Sequence, residues 1–362
     1  MLHRPGVTAV SALVLLASTS CMFVLDTDSL QEATPDVADD ACTSMAQAYC
    51  SKYESCASFY LRYYFGNVDA CVERFKLGCR VEVDATGSAT TPDAVKECAK
   101  AIAGFEGCSE VMSGSAWAIC APPAGPRKVG ERCVASGQCA TSYCELPSGS
   151  VCGTCSERVE GNGACDSLTD CLPPFVCSPG GLGYRCVMPL AQGDACGAGK
   201  PQCAAGLACR WDPGNPGLPP SCKPPLTEGE PCFVSVQAVS GGDESRFFDE
   251  LTRECDFLHG AFCMPPDPDT NPPVNGYLKG ACRTFLFAAS DGVSACGQIN
   301  TNLVLCEKSG RCQAPEGSAL EVCMPAPDEK NKGVCATDGD CLSPSVCVST
   351  QCVLRDPSGC TQ

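Results

Sequence analysis

The sequence predicts a small disulfide-rich protein: a disulfide-pinned α-helical bundle near the N-terminus, followed by tandem irregular cysteine-rich modules with short β-hairpins. Three observations carry this reading. Thirty-five cysteines stand among 362 residues, far above ordinary usage and typical of disulfide scaffolds. Aromatic residues make up only 6%, against 36 Gly and 29 Pro, so there is too little bulk for one large hydrophobic core. From Cys133 onward short Gly-, Pro-, Ser- and Asp-rich runs separate the cysteines, and such runs cannot bury enough apolar surface to offset chain entropy without cross-links. So many thiols imply an oxidising compartment. Zinc is the competing use of clustered cysteine, but it wants paired C-x2-C motifs or Cys with His. The chain has one such pair, Cys152 and Cys155, and beyond residue 20 a single histidine, His259. No metal or cofactor is expected.

Residues 1–20 read as a secretory signal: His3 and Arg4 begin it, an apolar run from Val7 to Ala17 follows, and Ser18, Thr19 and Ser20 precede Cys21. Small residues directly before a cysteine resemble a bacterial lipobox, although Ser18 stands where Leu is usual, and Cys21 is the expected lipidation site. Setting Cys21 aside leaves an even number of cysteines. Cleavage without lipidation, or an uncleaved anchor extended through Met22–Leu25, are the alternatives. Residues 21–40 then form a lipidated, acidic tether, which at twenty flexible residues would span roughly 25 Å.

Residues 41–120 change period. Cys42, Met45, Ala46, Tyr49, Tyr53 and Cys56 recur at three- and four-residue steps, the stripe of an amphipathic helix. Phe59 to Phe65 continues it until Gly66 offers a stop. Asp69 is a candidate cap for a helix carrying Cys71, Val72, Phe75 and Cys79. Thr91 and Pro92 open another with Val95, Cys98, Ala99 and Ile102. The eight cysteines here, completed by Cys50, Cys108 and Cys120, can close among themselves. Tyr60, Tyr63 and Tyr64 share a helix face and are either a contact patch for a partner or part of an aromatic core.

Residues 121–129 are a linker. Three modules over 130–231 follow, and their cysteines are expected to be structural, each in a disulfide. The first carries Cys133, Cys139, Cys144, Cys152 and Cys155, the second Cys165, Cys171, Cys177 and Cys186, and the third Cys196, Cys203, Cys209 and Cys222. The first holds five cysteines, so one pairs outside it. A further copy within 328–362 carries Cys335, Cys341, Cys347 and Cys352. Residues 232–327 depart from the plan and read as either an expanded module or a separate subdomain. There Phe233–Val239 and Thr284–Phe287 have strand composition, and Ser245–Leu258 has a helical stripe. Connectivity does not follow from spacing.

Charge and chemistry narrow the function. Without residues 1–20, which hold one basic residue and no acidic one, 24 basic residues face 42 acidic, a net of −18. That sign disfavours nucleic acid and anionic lipid. A hydrolase would have to draw its base from His259, four residues after Cys255, which is expected to be bridged. Cys152 and Cys155 lack the strand–helix context of a redox motif. Asp338 and Asp340, and Asp267 and Asp269, do not have the ligand spacing of a calcium loop. No phosphate-cradling glycine loop occurs. The expected protein is not an enzyme. It is a secreted or surface-held interaction or structural protein, with an unidentified protein or surface partner and a membrane contact through lipid. A secreted inhibitor or binder of an extracellular protease or receptor is the alternative, and an extracellular thiol–disulfide enzyme a remote one.

The helical block, including Tyr63–Cys71 and Thr91–Ala94, resembles cysteine-rich lipoproteins of myxobacteria and related soil bacteria. Stretches such as Cys133–Cys139, Cys152–Cys155 and Cys335–Cys341 resemble the Dickkopf N-terminal cysteine-rich domain. The likeness spans most of 42–222 and 333–352. It implies secretion, lipidation at a cell surface or outer membrane, and no established activity. The Asn-x-Ile motif by which animal Dickkopf domains bind a Wnt coreceptor does not occur, so Wnt antagonism does not carry over.

Overall fold

A computed structural model describes residues 35–108, 120–165, 170–180, 183–197, 199–212, 218–235, 253–264, 276–299, 302–315, 317–331 and 333–360. The expectations for the leader, for Cys21 and for residues 26–34 lie outside these residues. Four helices, α1 (Pro35–Cys56), α2 (Ser58–Phe65), α3 (Val68–Asp84) and α4 (Pro92–Gly104), come first. α1 begins inside the stretch read as tether. Proline suits a first helical turn because its missing N–H is unneeded there, and the acidic residues that made the stretch look like a spacer favour a helix N-terminus. One of them, Asp39, is paired with Lys76 and Arg80 of α3.

α1 and α3 run antiparallel and are pinned twice, by Cys42–Cys79 and Cys50–Cys71. Two helical turns separate the cysteines on each helix, so both bridges fall on one seam. Apolar packing accompanies them: Ala41 and Val95 around the first, Leu61 and Phe65 around the second, with Tyr49 stacked on Phe75 at 4.8 Å. Cys56–Cys108 and Cys98–Cys120 complete the block, so its eight cysteines close among themselves. Gly66 ends α2 at φ +83°, a backbone only glycine adopts readily. Thr91 caps α4 by accepting from the Ala94 N–H. The cap of α3 is Asn67, which accepts from the Ala70 N–H at 2.9 Å, rather than Asp69. A cap must reach the N–H groups of the first turn, and Asp69 already lies inside the helix.

Beyond residue 120 one connectivity recurs. In every module the first cysteine bonds the third and the second bonds the fourth. The pairs are 133–144 with 139–155, 165–177 with 171–186, 196–209 with 203–222, 232–263 with 255–282, 296–312 with 306–323, and 335–347 with 341–352. The stretch read as divergent therefore holds a fourth and a fifth copy. The third and fourth cysteines always face each other across an antiparallel hairpin, from Cys144↔Cys155 to Cys347↔Cys352. The residue before the first cysteine always pairs with the residue before the fourth: Arg132↔Thr154, Ala164↔Arg185, Ala195↔Ser221, Pro231↔Ala281, Ala295↔Val322 and Val334↔Gln351.

The third module departs from its neighbours in how well it hides its sulfur. Cys209 bonds Cys196 and faces Cys222 across the hairpin, the structural role expected of it. Unlike Cys144, Cys177 and Cys347, the third cysteines of the first, second and sixth modules, Cys209 is only half-buried. The loop before it, Ala204-Ala205-Gly206, has too little side chain to cover the bridge. Cys209 is thus a partly exposed staple, and Cys312, the third cysteine of the fifth module, is more exposed still.

A turn precedes each first cysteine, and in the first five copies it docks on the fourth. N–H groups of Gly130, Asn162, Gly193, Gly229 and Gly292 donate to the carbonyls of Cys155, Cys186, Cys222, Cys282 and Cys323. All five donors have positive φ, from 68° at Asn162 to 91° at Gly193, where glycine and asparagine are the tolerant residues. Acidic side chains brace three of these turns: Glu131 accepts from Lys128 N–H, Asp194 from Ala191 and Glu230 from Thr227.

In the region expected to differ, the described part of Phe233–Val239, residues 233–235, lies in the strand Pro231–Ser235, and Thr284–Phe287 falls at a break between Tyr277–Thr284 and Leu286–Ala288. The helix expected over Ser245–Leu258 is not formed in its described part. Cys255 makes a parallel bridge to Leu226, and Phe257–His259 is a single 3-10 turn. Here the second-cysteine frame overrides a helical stripe, because Cys255 must face both Cys282 and the Leu226 backbone.

Candidate interaction surfaces

The modules join one another in order, the first, fourth, fifth and sixth also touch the helices, and charged side chains sit at several of the joints. Glu82 of α3 holds the first module: its carboxylate accepts from the N–H groups of Ser136, at 3.0 Å, and Gly137. Gln138, fully buried, donates to the Thr86 carbonyl. Burial pushes the Glu82 carboxyl above the ordinary carboxylate range, although the Gly137 and Ser136 N–H groups pull it down.

Tyr143 donates to Asp170 to join the first and second modules, and the Gln202 N–H donates to Ser178 to join the second and third. Glu254, 1% exposed, joins the third and fourth by accepting from the N–H groups of Trp211 and Phe233, both at 2.8 Å. Burial raises its carboxyl as well, against those two N–H groups.

The fourth and fifth modules lie on α2. Phe59, 4% exposed, meets Phe257 at 4.5 Å, Phe285 at 5.3 Å and Phe287 at 5.6 Å. Arg62 pairs with Glu307 and lies over Phe287. The Ser309 N–H donates to the Tyr63 carbonyl at 2.6 Å, so a turn of the fifth module completes the C-terminus of α2.

The sixth module lies on α3 through Arg74, which is 7% exposed. Its guanidinium pairs with both oxygens of Glu329 and donates to the carbonyls of Leu342 and Ser343 and to Ser345 Oγ. Burial pushes Glu329 up, but the Arg74 and Ser345 hydrogen bonds outweigh it and hold the carboxyl at about 2. A cavity of about 200 Å³ remains beside this joint, lined by Met45, Phe65, Phe75, Gly78 and Pro344 among others. Arg311 pairs with Asp340 between the fifth and sixth modules. Cys152–Cys360 then binds the end of the chain to the first module, closing the ring across 208 residues. Asp338 reinforces this closure by accepting from the Gly149 and Cys347 N–H groups.

The residues singled out from sequence fall into this frame. Cys152 is the cysteine of the first module that pairs elsewhere. Cys155 bonds Cys139, so the C-x2-C pair belongs to two different bridges. Cys255 is bonded to Cys282, and its sulfur is no nucleophile. His259 lies at the surface with Nδ1 2.7 Å from Asp256 and Nε2 facing the Ser55 carbonyl at 3.4 Å. Asp338 and Asp340 are taken up by backbone N–H groups and Arg311. Asp267 and Asp269 lie outside the described residues. Trios of cysteine sulfurs converge within 4.8 Å in several modules, but they belong to pairs of adjacent disulfides and lack the thiolate a metal needs.

Of the three tyrosines, Tyr60 and Tyr63 are half-buried against the aromatic cluster between α2 and the fourth and fifth modules. Tyr64, 42% exposed, faces outward and packs parallel to Tyr60 at 6.0 Å. Sequence reasoning missed the joints formed by Arg74, Glu82 and Glu254. Each reaches across the chain to a partner no local pattern links to it. Among the described residues no helix is long and apolar enough to cross a membrane. No protein-family model matches the chain, and neither a curated protein nor a solved structure matches it.

Proposed function

We propose that this is an exported, non-enzymatic interaction or structural protein, held at a membrane surface by lipid on Cys21, that presents variable loops on a repeated stapled frame. One observation carries the reading: the connectivity and hairpin register are constant over all the modules, while the loops within that frame are not. The separation from first to third cysteine runs from 11 in the first module to 31 in the fourth. A frame that tolerates such insertions suits display, because a loop stapled at both ends loses little entropy on docking. The resemblance to Dickkopf-like modules of bacterial lipoproteins agrees with this reading. A secreted binder of an extracellular protease or receptor would use the same loops without the lipid.

Two measurements test the proposal. Intact-mass analysis of the membrane fraction should find a mature N-terminus at Cys21 carrying acyl chains. Crosslinking on intact cells should recover a partner through module loops. Unmodified protein found only in the medium would overturn the anchored reading, and so would free thiols in the native protein.

A further inference from the structure

The second and sixth modules share a Leu-x-Pro-x-Val loop; the third has a loop of equal length held by the same hydrogen bonds, but with Ala204 and Gly206 in place of the Leu and Pro. Between second and third cysteines the second reads Cys171-Leu172-Pro173-Pro174-Phe175-Val176-Cys177, and the sixth reads Cys341-Leu342-Ser343-Pro344-Ser345-Val346-Cys347. The backbone is held alike in both. The Leu172 N–H donates to the Val159 carbonyl and the Phe175 N–H to the Leu172 carbonyl; the Leu342 N–H donates to the Pro327 carbonyl and the Ser345 N–H to the Leu342 carbonyl.

In the sixth module this loop is a docking device for a helix. The Leu342 and Ser343 carbonyls accept from the Arg74 guanidinium. One turn along α3, Pro344 packs 3.7 Å from where a side chain on Gly78 would begin. The turn after Pro327 supplies Glu329, which closes on the guanidinium from the other side. The loop therefore reads an arginine followed, four residues later, by a small residue.

In the second module the Leu and Pro recur, and among the described residues no helix covers them. Leu172 is 44% exposed and Pro174 is exposed, whereas Leu342 and Pro344 are half-buried under α3. The turn after Val159 supplies an exposed acid, Glu160. Phe175 stands where the sixth module has Ser345, and its half-buried ring offers a face over which a guanidinium is also favourable. The chain's net charge of −17 draws basic partners toward it.

We propose that the 171–177 loop is a docking site for a helix of a separate protein that presents an arginine and, one turn on, a small residue. This rests on the interaction reading above and names the chemistry of the partner. The probe is a helix-locked synthetic peptide spanning 68–84, with Cys71 and Cys79 replaced by serine, titrated against the oxidised full chain by fluorescence anisotropy. The protein's own α3 is tied by two disulfides, so the probe does not exchange with it.

Saturable binding is expected. It should weaken by about tenfold or more when the peptide carries Arg74→Ala, the loss of one charge-assisted contact. A similar loss is expected when the protein carries Leu172→Asp or Glu160→Lys, with intact mass confirming that each variant has formed all its disulfides. No binding at millimolar peptide, equal binding of the Arg74→Ala peptide, or indifference to both protein variants overturns the site. If the peptide fails but cell-surface crosslinks map to other modules, this site falls and the proposed function stands. If the peptide binds but no surface partner is crosslinked, the site stands and the surface reading falls.

Discussion

Between α1 and α3, the bonds Cys42–Cys79 and Cys50–Cys71 join helices that also bury Leu61, Phe65 and Val95. In the first module the buried cluster is four half-cystines with only Leu146 packed against them, and in the sixth it is four half-cystines alone. The chain-entropy model ranks these bonds by loop length: about 4 kcal/mol for a loop near 40 residues and about 3 kcal/mol for one near 12. By that measure the helical bonds matter more. Burial reverses the ranking, because a helix pair keeps an apolar seam once its disulfide is gone, whereas the first and sixth modules keep almost nothing; the fourth, with Val234, Phe262 and Phe285 buried, stands between. Sulfur reinforces structure in one region and is the interior of the other.

Reduction should separate the two most sharply. With reductant at neutral pH, amide-exchange protection is expected to vanish across 127–222 and 327–352, while α1 and α3 retain part of theirs. Simultaneous loss in both regions would mean that the helical block too has no core without its bonds, and the contrast would collapse.

Next in size is the joint between the regions. Arg74→Ala takes the guanidinium donors from Glu329, Ser345 and two carbonyls, leaving Glu329 only the Ser345 hydroxyl among the side chains of the joint. Removing one member of a largely buried pair costs about 2–4 kcal/mol, read as a lower urea midpoint with disulfides intact. A change under about 0.5 kcal/mol, as for an ordinary surface site, would show that the sixth module is held by its contacts with the first and fifth modules rather than by α3.

The smallest effect is in acid, and it differs between joints. Glu329 titrates at about 2, below its ordinary 4.5. It therefore contributes stability that is present above 4.5 and is lost as pH falls toward and through 2. Glu82 and Glu254 are raised from 4.5, so their contributions have the opposite sign: present below the ordinary value and lost as pH rises through their folded values. Between pH 5 and pH 2, exchange corrected for intrinsic rate should rise at 342–347 but not at 136–138 or at Trp211 and Phe233. A uniform rise at all three joints would contradict these assignments.

Much of the helical block was legible because its signals are local. The stripe from Cys42 to Cys56, the stop at Gly66 and the Thr91–Pro92 start each lie within a few residues of what they specify. The modules were legible where loops are short. The fourth and fifth copies were hidden because Cys232 and Cys255 stand far apart, and a cysteine count without turn chemistry does not bridge such an insertion. A local signal was present in Gly130-Glu131, Gly193-Asp194 and Gly229-Glu230, a positive-φ turn just before each first cysteine. The joints were not legible at all. Arg74 and Glu329 are 255 residues apart, and an arginine on a helix otherwise reads as a solvated charge.

The bond from Cys152 to Cys360 also makes the order of synthesis matter. The first module emerges early and can form its two internal bridges at once, but its fifth thiol has no mate until Cys360, 208 residues further on, has been made. A product truncated before Cys360 would thus carry a lone sulfhydryl at Cys152. A disulfide elsewhere could exchange with that sulfhydryl, releasing its own second sulfur as a thiol, so closure of the ring is what removes the last reactive sulfur of the first module.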